Sequence, residues 1–79
     1  MTMETRIEKQ NNFAVAFGKN LRKFRMGRHL TQQEIAIKIM VSTSTYANWE
    51  QGRREISLYH LKLLTEVLNV DMNRLFDFN

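Results

Sequence analysis

The stretch 32–51 constrains the fold of this chain more than any other segment. Its apolar residues form two groups, each spaced as on one face of a helix: Ile35, Ala36 and Ile39, and then Tyr46 and Trp49. Between the groups, Ser42 is a good N-cap, and the Ser and Thr residues after it suit a first helical turn better than a helix interior. We therefore predict a corner at residues 40–42. Two short helices joined by a tight turn make a helix-turn-helix.

This segment resembles the DNA-binding unit of Cro/cI-type phage repressors and of the wider xenobiotic-response-element family of small bacterial regulators. The residues that carry the resemblance are Thr31 and Gln32 at the start of the first helix, Ala36 at its crossing point, the inward Tyr46 and Trp49, and the exit WEQGR at 49–53. The likeness extends from about residue 17 to residue 76. It implies an all-α, five-helix, lambda-repressor-like domain that binds double-stranded DNA.

Composition excludes several other classes of protein. A chain of 79 residues forms one small domain. It has no Cys, hence no disulfide or thiolate metal site, and its two His are too far apart in sequence to suggest a local zinc pair. No run approaches the roughly 18 apolar residues of a membrane span, and no signal-peptide pattern opens the chain. We expect a soluble cytoplasmic protein with no cofactor or metal.

Positive charge is concentrated in the same region as the helix-turn-helix. The net charge is +4, but residues 19–54 carry eight Lys or Arg against two Glu, which gives +6. Residues 1–18 are neutral in sum, and residues 55–79 carry −2. A basic patch at one end of a small domain is typical of a protein that binds a phosphate backbone. A solvated charged face is the simpler alternative.

The rest of the chain predicts three more helices and no strand. Helix 1 is predicted over 13–26, at the start of the domain 13–79, and residues 1–12 are predicted to be an arm or a frayed extension of this helix. Its basic residues are expected to face water or phosphate. A fourth helix follows Ser57, and Asp71 caps a short fifth helix. The predicted buried stripes are Ala14, Phe17, Leu21 and Phe24 in helix 1, and Leu58, Leu61, Leu64 and Leu68 in helix 4.

Local features set both ends of helix 2. Thr31 and Glu34 have the spacing of a capping box at its start. At the position of Met40, members of the family usually have Gly, because the turn calls for a positive φ. If this chain keeps that geometry, Met40 costs roughly 1 kcal/mol of backbone strain.

The resemblance implies that helix 3, at about 43–51, enters the major groove of DNA. The expected base-reading residues are Ser42, Thr43, Ser44 and Asn48. Asn can form two hydrogen bonds with adenine, and a Thr methyl group can pack on that of thymine; Ser42 can instead be only a cap. The DNA backbone is expected to contact Gln32, Lys38, Thr45, Arg53 and Arg54.

Other residues are assigned to packing or to assembly. The resemblance pairs Arg25 with Glu50, although Arg25 can instead join the basic face. Tyr46 and Trp49 are expected in the core rather than stacked on bases. One copy of such a unit reads few base pairs, so we expect a homodimer on a two-fold operator, with half-sites about 34 Å apart. The expected dimer interface is Leu75, Phe76 and Phe78, unless these residues only close the core over helix 1.

The resemblance implies a bacterial or phage transcription regulator, and more specifically a repressor. An enzyme is not expected, because the sequence has no acid pair, nucleophile–base set or glycine-rich phosphate loop. The alternative is an antitoxin, which binds a protein toxin as well as its own promoter. A third possibility is the DNA-binding part of a longer regulator, although the compact end of the chain favours a free-standing protein.

Overall fold

Five helices make up the ordered architecture of residues 3–78, which are the residues that this computed structural model describes, with side chains from residue 12 onward. They are α1 (Met3–Gly27), α2 (Gln32–Lys38), α3 (Thr43–Glu50), α4 (Leu58–Leu68) and α5 (Met72–Leu75). The predicted all-α fold with five helices is confirmed. Within this part of the chain, no helix has both the length and the apolarity that a membrane span needs.

α1 is longer than the predicted helix. It begins at Met3 rather than near Phe13, so it runs through most of the segment 1–12. It ends at Gly27, one residue beyond the predicted end, and the left-handed residue of the following turn is His29, with φ 57°. Beyond it, the Leu30 amide donates to the carbonyl of Arg25 at 3.3 Å and closes the end of the helix.

Local hydrogen bonds fix where the short helices start. At α2, the Glu34 amide donates to Thr31 Oγ1 at 3.0 Å and the Thr31 amide donates to Glu34 Oε1 at 2.9 Å, so the predicted capping box is present. The bond from the Thr31 backbone lowers the pKa of Glu34. Ser57 caps α4 by accepting from the His60 amide. Asp71 occupies the N-cap of α5 but makes no side-chain capping bond.

The corner between α2 and α3 has the geometry expected from the family. Met40 has φ 60°, and the Val41 amide donates to the carbonyl of Ala36 at 3.0 Å. The side chain of Met40 is 78% exposed, so it gains little from burial. Met40 therefore bears the strain of a left-handed residue without compensation from packing.

One hydrophobic core joins the helices. Tyr46 and Trp49 are buried in it, which confirms their predicted structural role. The prediction for Leu58 is wrong: it is 80% exposed, because it is the first residue of α4 and the packed fold leaves this end of the apolar stripe uncovered. The core consists of Phe17, Leu21, Phe24, Ile35, Ala36, Ile39, Tyr46, Trp49, Leu61, Leu64, Leu68 and Leu75.

Two polar or small residues of α1 place the other helices. Gly18 lies directly against the end of α3, where a Cβ atom would come within 2.3 Å of the carbonyl oxygen of Glu50. Asn20 is buried, and its Nδ2 donates to the carbonyls of Arg74 at 3.0 Å and Leu75 at 2.7 Å. Gly18 thus lets α3 approach α1 closely, and Asn20 satisfies the end of α5.

Candidate nucleic-acid interface

The outward face of α3 is polar and uncharged at its N-terminal end. Thr43 and Ser44 are exposed, whereas Ala47 and Asn48 are half-buried. On the opposite face, Tyr46 and Trp49 anchor the helix in the core, with their rings 6.1 Å apart and nearly perpendicular. The buried aromatic pair therefore fixes which side chains α3 presents to solvent.

Ser42 is engaged in capping α3. Its Oγ accepts a hydrogen bond from the Thr45 amide at 3.0 Å and lies 2.8 Å from Thr45 Oγ1. Ser42 was expected either to read bases or to act only as a cap, and the structure shows it as the N-cap of α3. The same contact occupies the hydroxyl of Thr45, which is half-buried on the flank of α3.

A hydrogen-bonded cluster ties α1, α2 and α3 together behind this surface. Arg25 Nε donates to Glu50 Oε2 at 2.6 Å and Arg25 Nη2 donates to Glu50 Oε1 at 3.2 Å, so the two residues that the resemblance pairs form a two-point contact. Tyr46 Oη donates to Glu50 Oε2 at 2.5 Å. Gln32 Nε2 donates to Glu50 Oε1 at 2.9 Å. The carboxylate of Glu50 thus holds the start of α2 to the end of α3.

Charge in this cluster is well compensated. Burial raises the pKa of the Glu50 carboxyl, but the hydrogen bonds from Arg25 and from two neutral donors outweigh burial and hold this pKa below its ordinary value. The hydrogen bond to Glu50 raises the pKa of Arg25. Burial, followed by the bond to Glu50, raises the pKa of Tyr46. The cluster therefore remains a carboxylate, a guanidinium and a neutral phenol at neutral pH.

The residues expected to contact the DNA backbone belong to different segments of the chain. Lys38 lies in the last turn of α2, while Arg53 and Arg54 follow α3 after Gly52; all three are exposed. The Arg53 amide donates to the carbonyl of Asn48 at 2.9 Å, which fixes the chain as it leaves α3. Gly52 has φ 73° and no room for a Cβ atom, because Val15 would lie 2.8 Å from it.

Gln32 is half-buried and its amide braces Glu50, so its side-chain N–H is directed into the protein. Even so, the cluster reaches the surface, at an open cleft of about 430 Å³ between α1, α2 and α3. Arg22 lines this cleft together with Gln32 and Gln51. Arg22 is exposed and adds a positive charge beside the start of α2, although it was not among the residues predicted individually to contact the DNA backbone.

The predicted dimer interface needs a correction at Leu75. This residue is completely buried and packs in the core, so it presents no surface to a second subunit. Phe76 and Phe78 are each 38% exposed. They form an aromatic cluster with Phe13, whose ring centroid lies 5.9 Å from that of Phe76 and 5.5 Å from that of Phe78. Phe76 and Phe78 therefore cover part of α1 and also leave apolar surface exposed to solvent.

Phe76 also borders an apolar cleft of about 280 Å³ between α1 and the start of α4. Leu58, which was predicted to lie in the core, is on its rim. The amphipathic spacing of α4 could not reveal this, since an N-terminal residue of a helix continues the apolar pattern whether or not another element covers it.

Comparison with known proteins agrees with this architecture. The sequence profile described as "Helix-turn-helix" matches residues 21–75, which is more than half of the chain. The chain belongs to this helix-turn-helix family. Members of the family are DNA-binding transcription regulators, and the chain is one of them.

The relatives include small control proteins and a longer transcriptional activator. The chain is 30% identical over 67 residues to the control protein C.MunI of Mycoplasma sp, covering 84% of this chain and 90% of that protein. It is 29% identical over 59 residues to the HTH-type transcriptional activator BcrR of Enterococcus faecalis, covering 75% of this chain but only 29% of that protein. The crystal structure of the restriction-modification controller protein C.AhdI from Aeromonas hydrophila superposes with a TM-score of 0.76 at 30% identity, covering 80% of this chain and 96% of that one.

Proposed function

We propose that the protein binds a two-fold operator as a homodimer, with α3 of each subunit in the major groove of double-stranded DNA. The observation that carries this proposal is the exposed, uncharged N-terminal turn of α3. Its small hydroxyl side chains allow close approach to base edges, and the buried faces of Tyr46 and Trp49 hold the helix rigid. Residues near the N-terminus of an inserted helix are those that contact bases in this type of docking.

Thr43 and Ser44 are the main base-reading residues in this proposal, with Asn48 behind them. Asn48 is half-buried, so it would reach a base only where the groove wall lies close to α3. Ser42 positions Thr45 and the first turn of α3. It takes part in base contact only through the part of its hydroxyl oxygen that these bonds leave exposed. We assign Thr45 to a phosphate beside the helix.

The exposed Lys38, Arg53 and Arg54 supply most of the phosphate contacts in this arrangement. Gln32 contributes its backbone N–H at the positive end of α2, because its side-chain amide is engaged with Glu50. If about four to six phosphates are neutralised per dimer, the logarithm of the binding constant should fall with a slope of about −4 to −5 against the logarithm of the salt concentration.

Selection of bound sequences from random duplex DNA tests the assignment. Thr43→Ala should relax the preference at one position of each half-site. Arg53→Ala should weaken binding to all sequences alike and reduce the salt slope by about one for each phosphate that is no longer neutralised. Lys62→Ala is the matched control, since Lys62 is also exposed but lies on α4. Failure of the wild-type protein to enrich any sequence would refute specific binding, and equal effects of all three variants would refute the docking.

The direction of regulation is a separate part of the proposal. The resemblance to Cro/cI-type proteins favours repression. The likeness to the control proteins favours a small regulator of a restriction-modification system, and BcrR is an activator. A promoter–reporter fusion carrying the selected operator measures the direction: repression lowers the reporter signal when the protein is expressed, and a rise in signal would replace the repressor assignment with an activator.

An antitoxin is the second candidate, and one observation favours it. The cleft bordered by Leu58 and Phe76 is an apolar surface that a protein partner could cover. Purification from the source cell separates the two functions. A regulator alone elutes as a dimer, whereas an antitoxin elutes with a second, stoichiometric protein whose toxicity it neutralises.

A further inference from the structure

A polar cleft of about 290 Å³ lies where three parts of the protein meet: the end of α1, the end of α4, and α5. Its lining contains none of the residues assigned above to DNA. The residues that matter for its chemistry are Phe24, Arg28, Thr65, Asn69, Asp71 and Arg74. Two of these are arginines, one just after α1 and one in α5, which the sequence separates by more than 40 positions.

The two arginines converge on one aromatic ring. The guanidinium carbon of Arg28 lies 5.5 Å from the centroid of the Phe24 ring, and that of Arg74 lies 5.7 Å from the same centroid. The two carbons are therefore no more than about 11 Å apart, the largest separation that these two distances allow. Arg28 is fixed further, because its Nε donates to the carbonyl of Leu68 at 2.5 Å.

The side chain of Arg28 folds back over Phe24 and onto the end of α4, although the residue remains exposed to solvent. Because both arginines line the same cleft, an anion bound there would interact favourably with two positive charges. The cation–π contacts with Phe24 help to hold both guanidinium groups at the ring.

In the described part of the chain, neither of the two arginines forms a salt bridge with the acidic residue that lines the cleft. This acid is Asp71, which also makes no side-chain capping bond at α5. Thr65 offers no donor, because its hydroxyl donates to the carbonyl of Lys62 at 2.6 Å. The side-chain donors that remain in the lining are the outer N–H groups of the two guanidinium groups and the amide of Asn69.

We propose that this cleft binds a small dianion of the phosphate or dicarboxylate class. Each guanidinium presents a planar pair of N–H donors, which matches the oxygens of a phosphate or carboxylate group. Because Arg28 follows α1 and Arg74 belongs to α5, the bound dianion ties the end of α1 to α5. Phe76 and Phe78 follow α5 directly, so the ligand also steadies the segment that carries the proposed dimer surface.

Titration of the isotopically labelled protein tests the site without DNA. Inorganic phosphate and succinate, each added at constant ionic strength, are followed by the backbone amide shifts of residues 24–28 and 69–74. Saturable shifts with either probe support the site, and the probe that binds identifies the class. Arg74→Gln and Arg28→Gln should each weaken binding by about tenfold or more, because each removes a charged hydrogen-bond donor.

Two further variants make the test independent of folding. Asp71→Asn removes a negative charge from the cleft and should tighten binding, an effect that a damaged fold would not produce. Lys62→Gln removes an exposed positive charge of α4 outside the cleft and should leave affinity unchanged. The proposal is overturned if neither probe saturates, if Arg74→Gln binds like wild type, or if Lys62→Gln loses as much affinity as Arg74→Gln. It is also overturned if the arginine variants lose DNA affinity while the wild type ignores both anions, because the arginines would then belong to the DNA interface.

Discussion

Replacing Gly18 by alanine should destabilise the protein strongly, although alanine is the better helix former. The added Cβ would lie 2.3 Å from the carbonyl oxygen of Glu50 and 2.6 Å from that of Trp49. Ordinary contact begins at 3.4 Å, so α1 and α3 would have to separate by about 1 Å. Both opposing atoms belong to the backbone, and no rotation of a side chain can relieve the clash.

The magnitude follows from two opposing effects. Overpacking of this kind costs typically about 1–3 kcal/mol, and a clash with rigid backbone lies at the upper end. The helix propensity of alanine returns about 1 kcal/mol. We therefore expect a net loss of about 2 kcal/mol in the free energy of unfolding, which corresponds to a fall of about 10 °C in Tm for a domain of this size.

Gly27→Ala is the matched control, because it makes the same chemical change in the same helix. An added Cβ at Gly27 meets nothing within 4 Å. This variant should be stabilised by about 0.4–1 kcal/mol. Urea unfolding followed by far-UV circular dichroism and by the fluorescence of Trp49 measures both variants. If Gly18→Ala unfolds at the wild-type urea concentration or above it, the close approach of α1 and α3 is wrong.

Three further predictions concern the turn, the buried carboxylate and the dimer. Met40→Gly should raise the free energy of unfolding by up to about 1 kcal/mol, because it relieves a left-handed φ at an exposed residue; an unchanged or lower urea midpoint would contradict this. The folded-state pKa of Glu50 lies below its ordinary value of 4.5, so its contribution to stability is present above pH 4.5 and is lost as the pH falls through the folded-state pKa. Urea midpoints of Glu50→Gln should therefore depend less on pH in the acid range than those of wild type, and parallel curves would exclude this role. Phe78→Ser should weaken DNA binding and shift the dimer to monomer in sedimentation, with little loss of helix content; full affinity would remove Phe78 from the interface.

The sequence alone determined the local structure of the recognition unit. The capping box at Thr31 and Glu34 and the N-cap at Ser42 were predicted and are present, and Met40 keeps the positive φ that the turn of the family calls for. Each depends on residues no more than four positions apart, so the chain carries the whole of the interaction within one short segment. The burial of Tyr46 and Trp49 followed from their spacing in the same way.

Tertiary structure decided what lies between the helices. Gly18 has no sequence pattern that marks it as the contact point of α1 with the end of α3, and Asn20 has none that marks it as the partner of the α5 carbonyls. Leu58 and Leu75 continue equally good apolar patterns, yet one is 80% exposed and the other is fully buried. The physical reason is that helical periodicity indicates only which face of a helix is apolar. Burial depends on whether a segment that is distant in the sequence covers that face, and only the packed fold brings the two together.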